Sequence, residues 1–461
     1  MQITKNINPA IFREYDIRGV FGVDLNEDVA YTIGRSFGSY IREKGEEKTV
    51  IGHDNRLSSP ILTKGILKGI TDSGVSVVDL GLVTTPMYYY ARKHLSIKTG
   101  IMITASHNPK DDNGFKIAFS EIGNAYGEFI YSFRDYTLEG KFLKGTGVME
   151  TYDIKPAYLQ LLKKSIDLGN RPLRVVVDCG NGTGSVVMEE VLKEFPVEYD
   201  LLYCESDGTF PNHLADPAVP ENQKALCERV KELGYDFGFS IDGDADRVGV
   251  VDEKGQIWAT DIYMLVMYRF LNSHLKTRKA LFDVKCSKTL IDGLKELEIE
   301  PVMYRTGNSY TNMMMQQGDF DFGGEYSGHV FFRDKFPGFD DGIYGGLRML
   351  ELLSHYDRPM STLLEGMSVY ISTPELKFPM SDETKFAVVE KIKEYAMQQQ
   401  YQITTIDGVR VLFEDGWALV RVSNTGPNIT ARFEATSKER LEEIQKEFTS
   451  LIEQYGTSAN S

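Results

Sequence analysis

Short apolar runs alternate with amphipathic stretches over the first three-quarters of the chain. Thr49-Val-Ile-Gly52, Val75-Ser-Val-Val78 and Thr99-Gly-Ile-Met-Ile103 read as buried strands. Ahead of them, Val29, Ile33, Phe37 and Ile41 recur at helical spacing, which predicts a helix with one apolar face. The alternation restarts at Leu173-Arg-Val-Val-Val177 and Phe237-Gly-Phe-Ser-Ile241. It restarts again at Ala280-Leu-Phe-Asp-Val284, with a helix near 346–353. Strands alternating with helices predict three consecutive α/β units with mixed, mostly parallel sheets, although no clean sequence repeat marks them.

The last ninety or so residues carry a different pattern. A helix over 383–397 leads into strands at 402–406, 409–413, 417–422 and 429–433 with no helix between them. Leu441, Ile444, Phe448 and Leu451 then form the stripe of a final helix, with Thr436 and Glu439 as a capping box ahead of it. This predicts a smaller C-terminal α+β domain with an antiparallel sheet. The expected domains are 1–150, 151–254, 255–369 and 370–461, and a chain of 461 residues is too long for one ordinary core.

Composition narrows the partners. A net charge of −16 argues against nucleic acid or an anionic membrane as the main partner, and an anionic substrate must then be caught by local cations. Cys179, Cys204, Cys227 and Cys286 are scattered, which fits reduced thiols in a cytoplasm and neither a disulfide framework nor a zinc site. No signal-peptide pattern opens the chain and no apolar run approaches the roughly 20 residues that span a bilayer. A cytoplasmic enzyme, monomer or homodimer, is expected.

The sharpest chemical signal is Ile241-Asp242-Gly243-Asp244-Ala245-Asp246-Arg247. Alternating carboxylates in an extended loop converge, and their repulsion is relieved by a divalent cation with a taste for hard oxygen, Mg²⁺ or Ca²⁺. Glu253 stands at the twelfth position of a calcium-loop count, but Arg247 occupies the sixth, where that loop needs Gly, and the flanks read as strands. A solvated acidic turn without metal is the alternative.

Three further loops invite two readings each. Thr104-Ala-Ser106-His107-Asn108-Pro109 follows a strand, so Ser106 is a candidate nucleophile or phosphate carrier, or the segment is a turn held by its own side chains. Adjacent side chains in a strand-like loop diverge, which disfavours His107 as a base for Ser106. Gly323-Gly-Glu325-Tyr-Ser327-Gly-His329 offers acceptors and a hydroxyl to a polyol, or is a glycine-rich turn with a buried His. Arg421-Val-Ser423-Asn424-Thr425-Gly426-Pro427 is a phosphate cradle or a polar hairpin. Asp178-Cys-Gly180-Asn-Gly182-Thr-Gly184 has G-x-G-x-G spacing where a dinucleotide site needs G-x-G-x-x-G, and Met313-Met314-Met315 reads as core.

Taken together, these loops resemble the α-D-phosphohexomutase superfamily, most closely its bacterial phosphomannomutase/phosphoglucomutase branch. Phe12-Arg-Glu-Tyr15-Asp16-Ile-Arg18-Gly19 matches its opening motif and Gly52-His-Asp54-Asn-Arg56-Leu-Ser58-Ser59 a second one. The resemblance runs the whole length in the family's order. It implies a phosphoserine at Ser106 and Mg²⁺ on Asp242, Asp244, Asp246 and Ser106. Lys116 becomes the proton carrier, with Arg18, His107 and Arg247 in the catalytic set; apart from the resemblance, a Lys can act as a base only with a depressed pKa, which nearby cations would give it. Sugar phosphate would meet Tyr15, Lys285, Asn308, Glu325, Ser327, His329, Arg421, Ser423, Asn424 and Thr425. The implied reaction moves a phosphoryl group between O1 and O6 of a hexose through a hexose 1,6-bisphosphate, which also serves as activator. Asn308 stands where many relatives carry His, and Gly426 where they carry Glu or another polar residue. Ser423-Asn424-Thr425 favours the mannose/glucose branch over the alternative, a phosphoglucosamine mutase.

Overall fold

The structure, a computed structural model, describes residues 1–423 and 426–458. Its first sheet runs, in spatial order, Ile17–Val20, Asp112–Ala118, Gly100–Ile103, Lys48–His53, Ser76–Leu82 and Met149–Thr151. The first two pairings are antiparallel and the rest parallel. The helix predicted from Val29, Ile33, Phe37 and Ile41 is Glu27–Glu43, with all four side chains buried. Asn26 caps it by accepting from the Val29 N–H, and Glu27 and Asp28 sit in its first turn.

The second sheet runs Ile257–Trp258, Val248–Asp252, Phe237–Ile241, Arg174–Asp178 and Glu198–Leu202. The third runs Glu300–Tyr304, Lys279–Asp283, Phe322–Gly324 and Val330–Phe332. Each combines parallel central pairs with an antiparallel return. This return is the structural repeat that the sequence hides. In every unit a central strand ends, a loop turns back, and an antiparallel strand follows. The three loops so placed are 104–111, 242–247 and 325–329. The chemistry-bearing motifs therefore occupy one topological position three times, at the carboxyl end of a central strand.

The fourth sheet is antiparallel throughout its described pairings, in the order Ile371–Ser372, Asn428–Ala435, Gly416–Val422, Val409–Phe413 and Gln402–Thr404. Leu376–Pro379 also pairs with Asn428–Ala435, and helices Asp382–Gln398 and Lys438–Ser458 pack on the sheet. The final helix starts one residue later than the capping box implies. Ser437, not Thr436, accepts from the Arg440 N–H at 3.2 Å. The strand expected to reach Ile406 stops at Thr404, because Gly408 turns the chain with φ +75°.

The apolar cores divide unequally. One cluster runs from Val50 and Tyr88 of the first unit through Val177 and Phe239 to Phe332 and Leu353 of the third. The C-terminal unit has its own cluster, from Val388 to Ile452, and meets the third unit through a small patch of Val284, Trp417 and Leu419. Met315 is core, as read from the sequence. Among the described residues no helix is long and apolar enough to cross a membrane.

Candidate active site

The three return loops converge on Ser106. Its backbone sits at φ +51°, a left-handed conformation that a non-glycine residue adopts only when its surroundings hold it there. The holding groups come from the motifs of the first unit. Thr104 Oγ1 accepts from the Ser106 N–H at 2.9 Å. The Arg56 guanidinium donates to the carbonyls of Ser106 and Asn108 at 2.8 and 2.7 Å, while Arg18 donates to that of Ala105. Arg56, whose role sequence reading left blank, is thus a loop-holding residue.

The left-handed turn also overturns the reading of His107. The loop is not strand-like at Ser106, so neighbouring side chains do not diverge, and His107 Nδ1 lies 3.3 Å from Ser106 Oγ. Burial, then Arg247 and Arg18, hold the His107 pKa well below the usual histidine range, so the ring is neutral.

Ser106 Oγ donates to Asp242 Oδ2 at 2.7 Å. The 242–247 loop reaches it because Gly243 has no side chain: a Cβ there would stand 2.5 Å from the Ser106 carbonyl oxygen. Behind it, a Cβ on Gly182 would stand 2.7 Å from the Gly243 oxygen, and Thr183 N–H donates to that oxygen at 2.9 Å. The G-x-G-x-G segment is therefore the seat of the acidic loop, consistent with its wrong spacing for a dinucleotide.

Asp242, Asp244 and Asp246 are fully buried, and each offers an oxygen within 4.8 Å of the others. The loop folds back so that Asp242 Oδ1 accepts the N–H groups of Asp246 and Arg247, at 3.0 and 3.1 Å. Thr85 Oγ1 donates to Asp244 Oδ2 at 2.6 Å. Among the described residues Asp244 Oδ1 and Asp246 Oδ1 are buried without a hydrogen-bond partner. Orphaned carboxylate oxygens in a closed site fit a hard divalent cation such as Mg²⁺, and the strands either side exclude an EF-hand. Burial, then the neighbouring carboxylates, push the Asp242 carboxyl well above the usual range.

Lys116 corrects the expected proton chemistry. Its Nζ lies 2.6 Å from Asp244 Oδ2 and 2.5 Å from Asp246 Oδ2. Burial works against the ammonium, but these two carboxylates outweigh it and raise the pKa. Nearby cations therefore do not depress it, and Lys116 is an ammonium in this arrangement. Arg247 Nε donates to His329 Nε2 at 3.0 Å, which fixes the His329 proton on Nδ1, 2.8 Å from Asp340 Oδ2. Val248 N–H donates to the Gly328 carbonyl, stitching the acidic loop to the 325–329 loop.

A cleft of about 830 Å³ opens from this cluster. Tyr15, Arg18, Ser106, His107, Lys116, Arg247, Lys285, Asn308, Glu325, Ser327, His329, Arg421 and Ser423 all line it, so sheets of all four units contribute. Glu325 and Ser327 share a face, 3.4 Å apart, and Glu325 also accepts from Thr311 Oγ1 at 2.5 Å. Lys285 pairs with Glu375 at 3.2 Å and Asn308 Nδ2 donates to Asp340 at 3.3 Å. Asn424 and Thr425 lie outside the described residues. Lys385 donates to the carbonyls of Ser423 and Gly426, and so holds both ends of that loop. Asp340, Asp407, Lys385 and Arg432 escaped sequence reading because their partners lie far away in the chain.

The chain matches models of the phosphoglucomutase/phosphomannomutase α/β/α domains I, II and III at residues 9–132, 156–255 and 259–370, and of the C-terminal domain at 375–451. It is 41% identical to a phosphomannomutase/phosphoglucomutase of Pseudomonas aeruginosa, with 97% of this chain and 96% of the relative covered. It is 39% identical to a phosphoglucomutase of Neisseria gonorrhoeae, covering 97% and 98% of the two chains. A crystal structure of a phosphoglucomutase/phosphomannomutase family protein from Burkholderia thailandensis superposes with a TM-score of 0.89 at 37% identity, over 97% of this chain and 98% of that one. A serine loop, a three-aspartate loop and a basic loop arranged around one cleft, in a chain matched along most of its length, place this protein in the phosphoglucomutase/phosphomannomutase family.

Proposed function

We propose that this enzyme interconverts hexose 1-phosphate and hexose 6-phosphate, of both glucose and mannose, through a phosphoserine at Ser106. The observation that carries the reading is that Ser106, held against a buried three-aspartate cluster, lines the same cleft as Arg421 of the fourth unit. We take the units to be 1–150, 151–254, 255–369 and 370–461, as expected from the sequence.

In this reading the phosphoryl group leaves the Ser106 oxygen for the free hydroxyl of a hexose monophosphate. The bond from phosphorus to Ser106 breaks as the bond to the sugar oxygen forms, giving a hexose 1,6-bisphosphate. The bisphosphate turns round, and the other phosphoryl group returns to Ser106. Asp242, Asp244 and Asp246, with the Ser106 oxygen, would hold Mg²⁺, which supplies positive charge to phosphoryl oxygens. Arg247 and Arg18 add fixed charge beside the serine. If a cation took over Asp244 and Asp246, the two carboxylates that keep Lys116 charged would be engaged elsewhere. As the free amine Lys116 would then take the proton of the attacking sugar hydroxyl while the phosphoryl group leaves Ser106, and as the ammonium return it to the sugar oxygen freed when the other phosphoryl group goes back to Ser106. His329, set by Asp340 and Arg247, faces the sugar with Glu325 and Ser327. Arg421, Ser423 and Lys285 hold the phosphate that is not reacting, and Tyr15 and Asn308 line its path. Asn424 and Thr425 belong to the same group by motif. Added hexose 1,6-bisphosphate would activate the enzyme by charging Ser106.

Glucose and mannose differ only at O2, and no residue named here reads that position. Coupled assays on glucose, mannose and glucosamine 1-phosphates with bisphosphate activator test the assignment. Efficiencies for glucose and mannose within roughly 10–100-fold of each other, the effect of a hydrogen bond, are expected. A preference for glucosamine 1-phosphate would move the enzyme to the phosphoglucosamine branch.

A further inference from the structure

The turn that ends the strand Gln402–Thr404 carries a carboxylate with three donors on one oxygen. Asp407 Oδ2 accepts from Arg421 Nε and lies 3.0 Å from Arg421 Nη2 as well. It also accepts from the Thr306 N–H at 3.1 Å. Both charged side chains are nearly closed to solvent, at 6% exposure for Arg421 and 9% for Asp407. Asp407 does not line the cleft, whereas Arg421, Thr306, Gly307 and Asn308 do. It therefore grips the guanidinium from behind, along the edge made by Nε and Nη2, while Nη1 points to Thr430 Oγ1, another cleft residue, at 3.5 Å.

Two consequences follow from this geometry. A guanidinium fork has fixed directions, so a carboxylate on one edge sets where the remaining N–H groups aim. Thr306 belongs to the 305–308 loop, where Thr306 Oγ1 donates to Asp283 and Asn308 Nδ2 to Asp340. One oxygen thus ties the phosphate-facing arginine of the fourth unit to the backbone of the loop that carries Asn308 in the third. The apolar contact between these units is small, so a polar tie of this kind has weight in fixing their register.

We propose that Asp407 is a positioning residue for substrate binding: it aims Arg421 into the cleft and sets the C-terminal unit against the 305–308 loop. It touches no substrate, and it rests on the reading of Arg421 as the clamp for the non-reacting phosphate.

The test compares wild type, Asp407→Asn, Arg421→Ala, Arg421→Lys and the Asp407→Asn/Arg421→Ala double variant, with saturating glucose 1,6-bisphosphate. Asp407→Asn keeps the shape and loses the charge. The expected result is a KM for glucose 1-phosphate raised about tenfold, with kcat within about threefold, and no further rise when it is added to Arg421→Ala. Arg421→Lys keeps charge and Asp407 but loses the fork, so its KM should rise nearly as far as that of Arg421→Ala. That arm stands even if the Asp407 variants fold poorly. A normal or lowered KM in folded Asp407→Asn, a multiplicative effect in the double variant, or a normal KM in Arg421→Lys would overturn the proposal while leaving the clamp intact. A normal KM in Arg421→Ala would overturn the clamp, and the proposal with it.

Discussion

Ser106 and Arg421 face one cleft from bodies that are joined in different ways. Around Ser106, three units share a continuous apolar core, and their loops are stitched by backbone hydrogen bonds: Thr85 to Asp244, Thr183 to Gly243, Val248 to Gly328, Gly342 to Ala245. Around Arg421, the fourth unit has a separate core and touches the third through buried cations. Arg410 donates to the carbonyls of Val284 and Cys286, and Arg432 lies over the Tyr326 ring at 3.8 Å and donates to the Lys285 carbonyl. The charge differs as well. Among the described residues the buried groups without a hydrogen-bond partner include carboxylate oxygens of Asp16, Asp244, Asp246 and Asp340 around the serine, and guanidinium nitrogens of Arg410 in the fourth unit. The contrast fits the two tasks. Phosphoryl transfer needs donors and charges that do not move. A bisphosphate that turns round needs a site that grips either phosphate and can release it.

The comparison breaks most visibly at the acid cluster. Stripping divalent metal with EDTA, or making Asp244→Asn, should lower turnover by ~10²–10³ or more, the scale set by losing one electrostatic stabiliser, while circular dichroism shows an intact fold. Full activity after EDTA would remove the metal from the account. At the other end, Arg421→Ala deletes a charge-assisted bond worth roughly 1.5–3 kcal/mol, about 10–100-fold. That bond exists in ground and transition states alike, so steady-state kinetics should show KM rising more than kcat falls, with greater dependence on added bisphosphate. If Arg421→Ala instead blocks charging of Ser106 by the bisphosphate and leaves sugar-phosphate affinity unchanged, the two ends are not separate.

A separate effect should appear in stability. Asp341, beside the cluster, is pushed by burial up to about 7 while it accepts from Tyr158 Oη at 2.8 Å and caps the helix Gly342–Ser354. An unfolded carboxyl loses its proton near ~3.9. The stability tied to the protonated Asp341 is therefore present at low pH and is lost as pH rises from about 4 through about 7, by up to ~1.4 kcal/mol per pH unit. Asp341→Asn cannot ionise and still caps. Thermal unfolding at pH 5 and pH 8 should show wild type losing more Tm than the variant, and equal losses would contradict the shift.

Much of this arrangement was legible because its signals are local. Asp242, Asp244 and Asp246 announce a cation site within five residues, and the strands that lead into the serine and acidic loops follow from the short apolar runs at 99–103 and 237–241. What escaped depends on contacts between distant segments. The φ of Ser106, set by Arg56, Arg18 and Thr104, decides that His107 points towards the serine. The carboxylates facing Lys116, not neighbouring cations, decide its charge. The glycines at 180–184 look like a nucleotide loop until Gly243 is seen packed against them. The threefold antiparallel return leaves no periodic trace, since a buried strand reads the same whichever way its neighbour runs.

The central claim is that Ser106, held against the three aspartates, carries the phosphate. Intact-mass spectrometry after incubation with glucose 1,6-bisphosphate, with site localisation by peptide fragmentation, tests it most directly. The account predicts a single added phosphate on Ser106 of the wild type, none on Ser106→Ala, and near-total loss of turnover in that variant. A Ser106→Ala enzyme that still takes up the phosphate and turns over would contradict it.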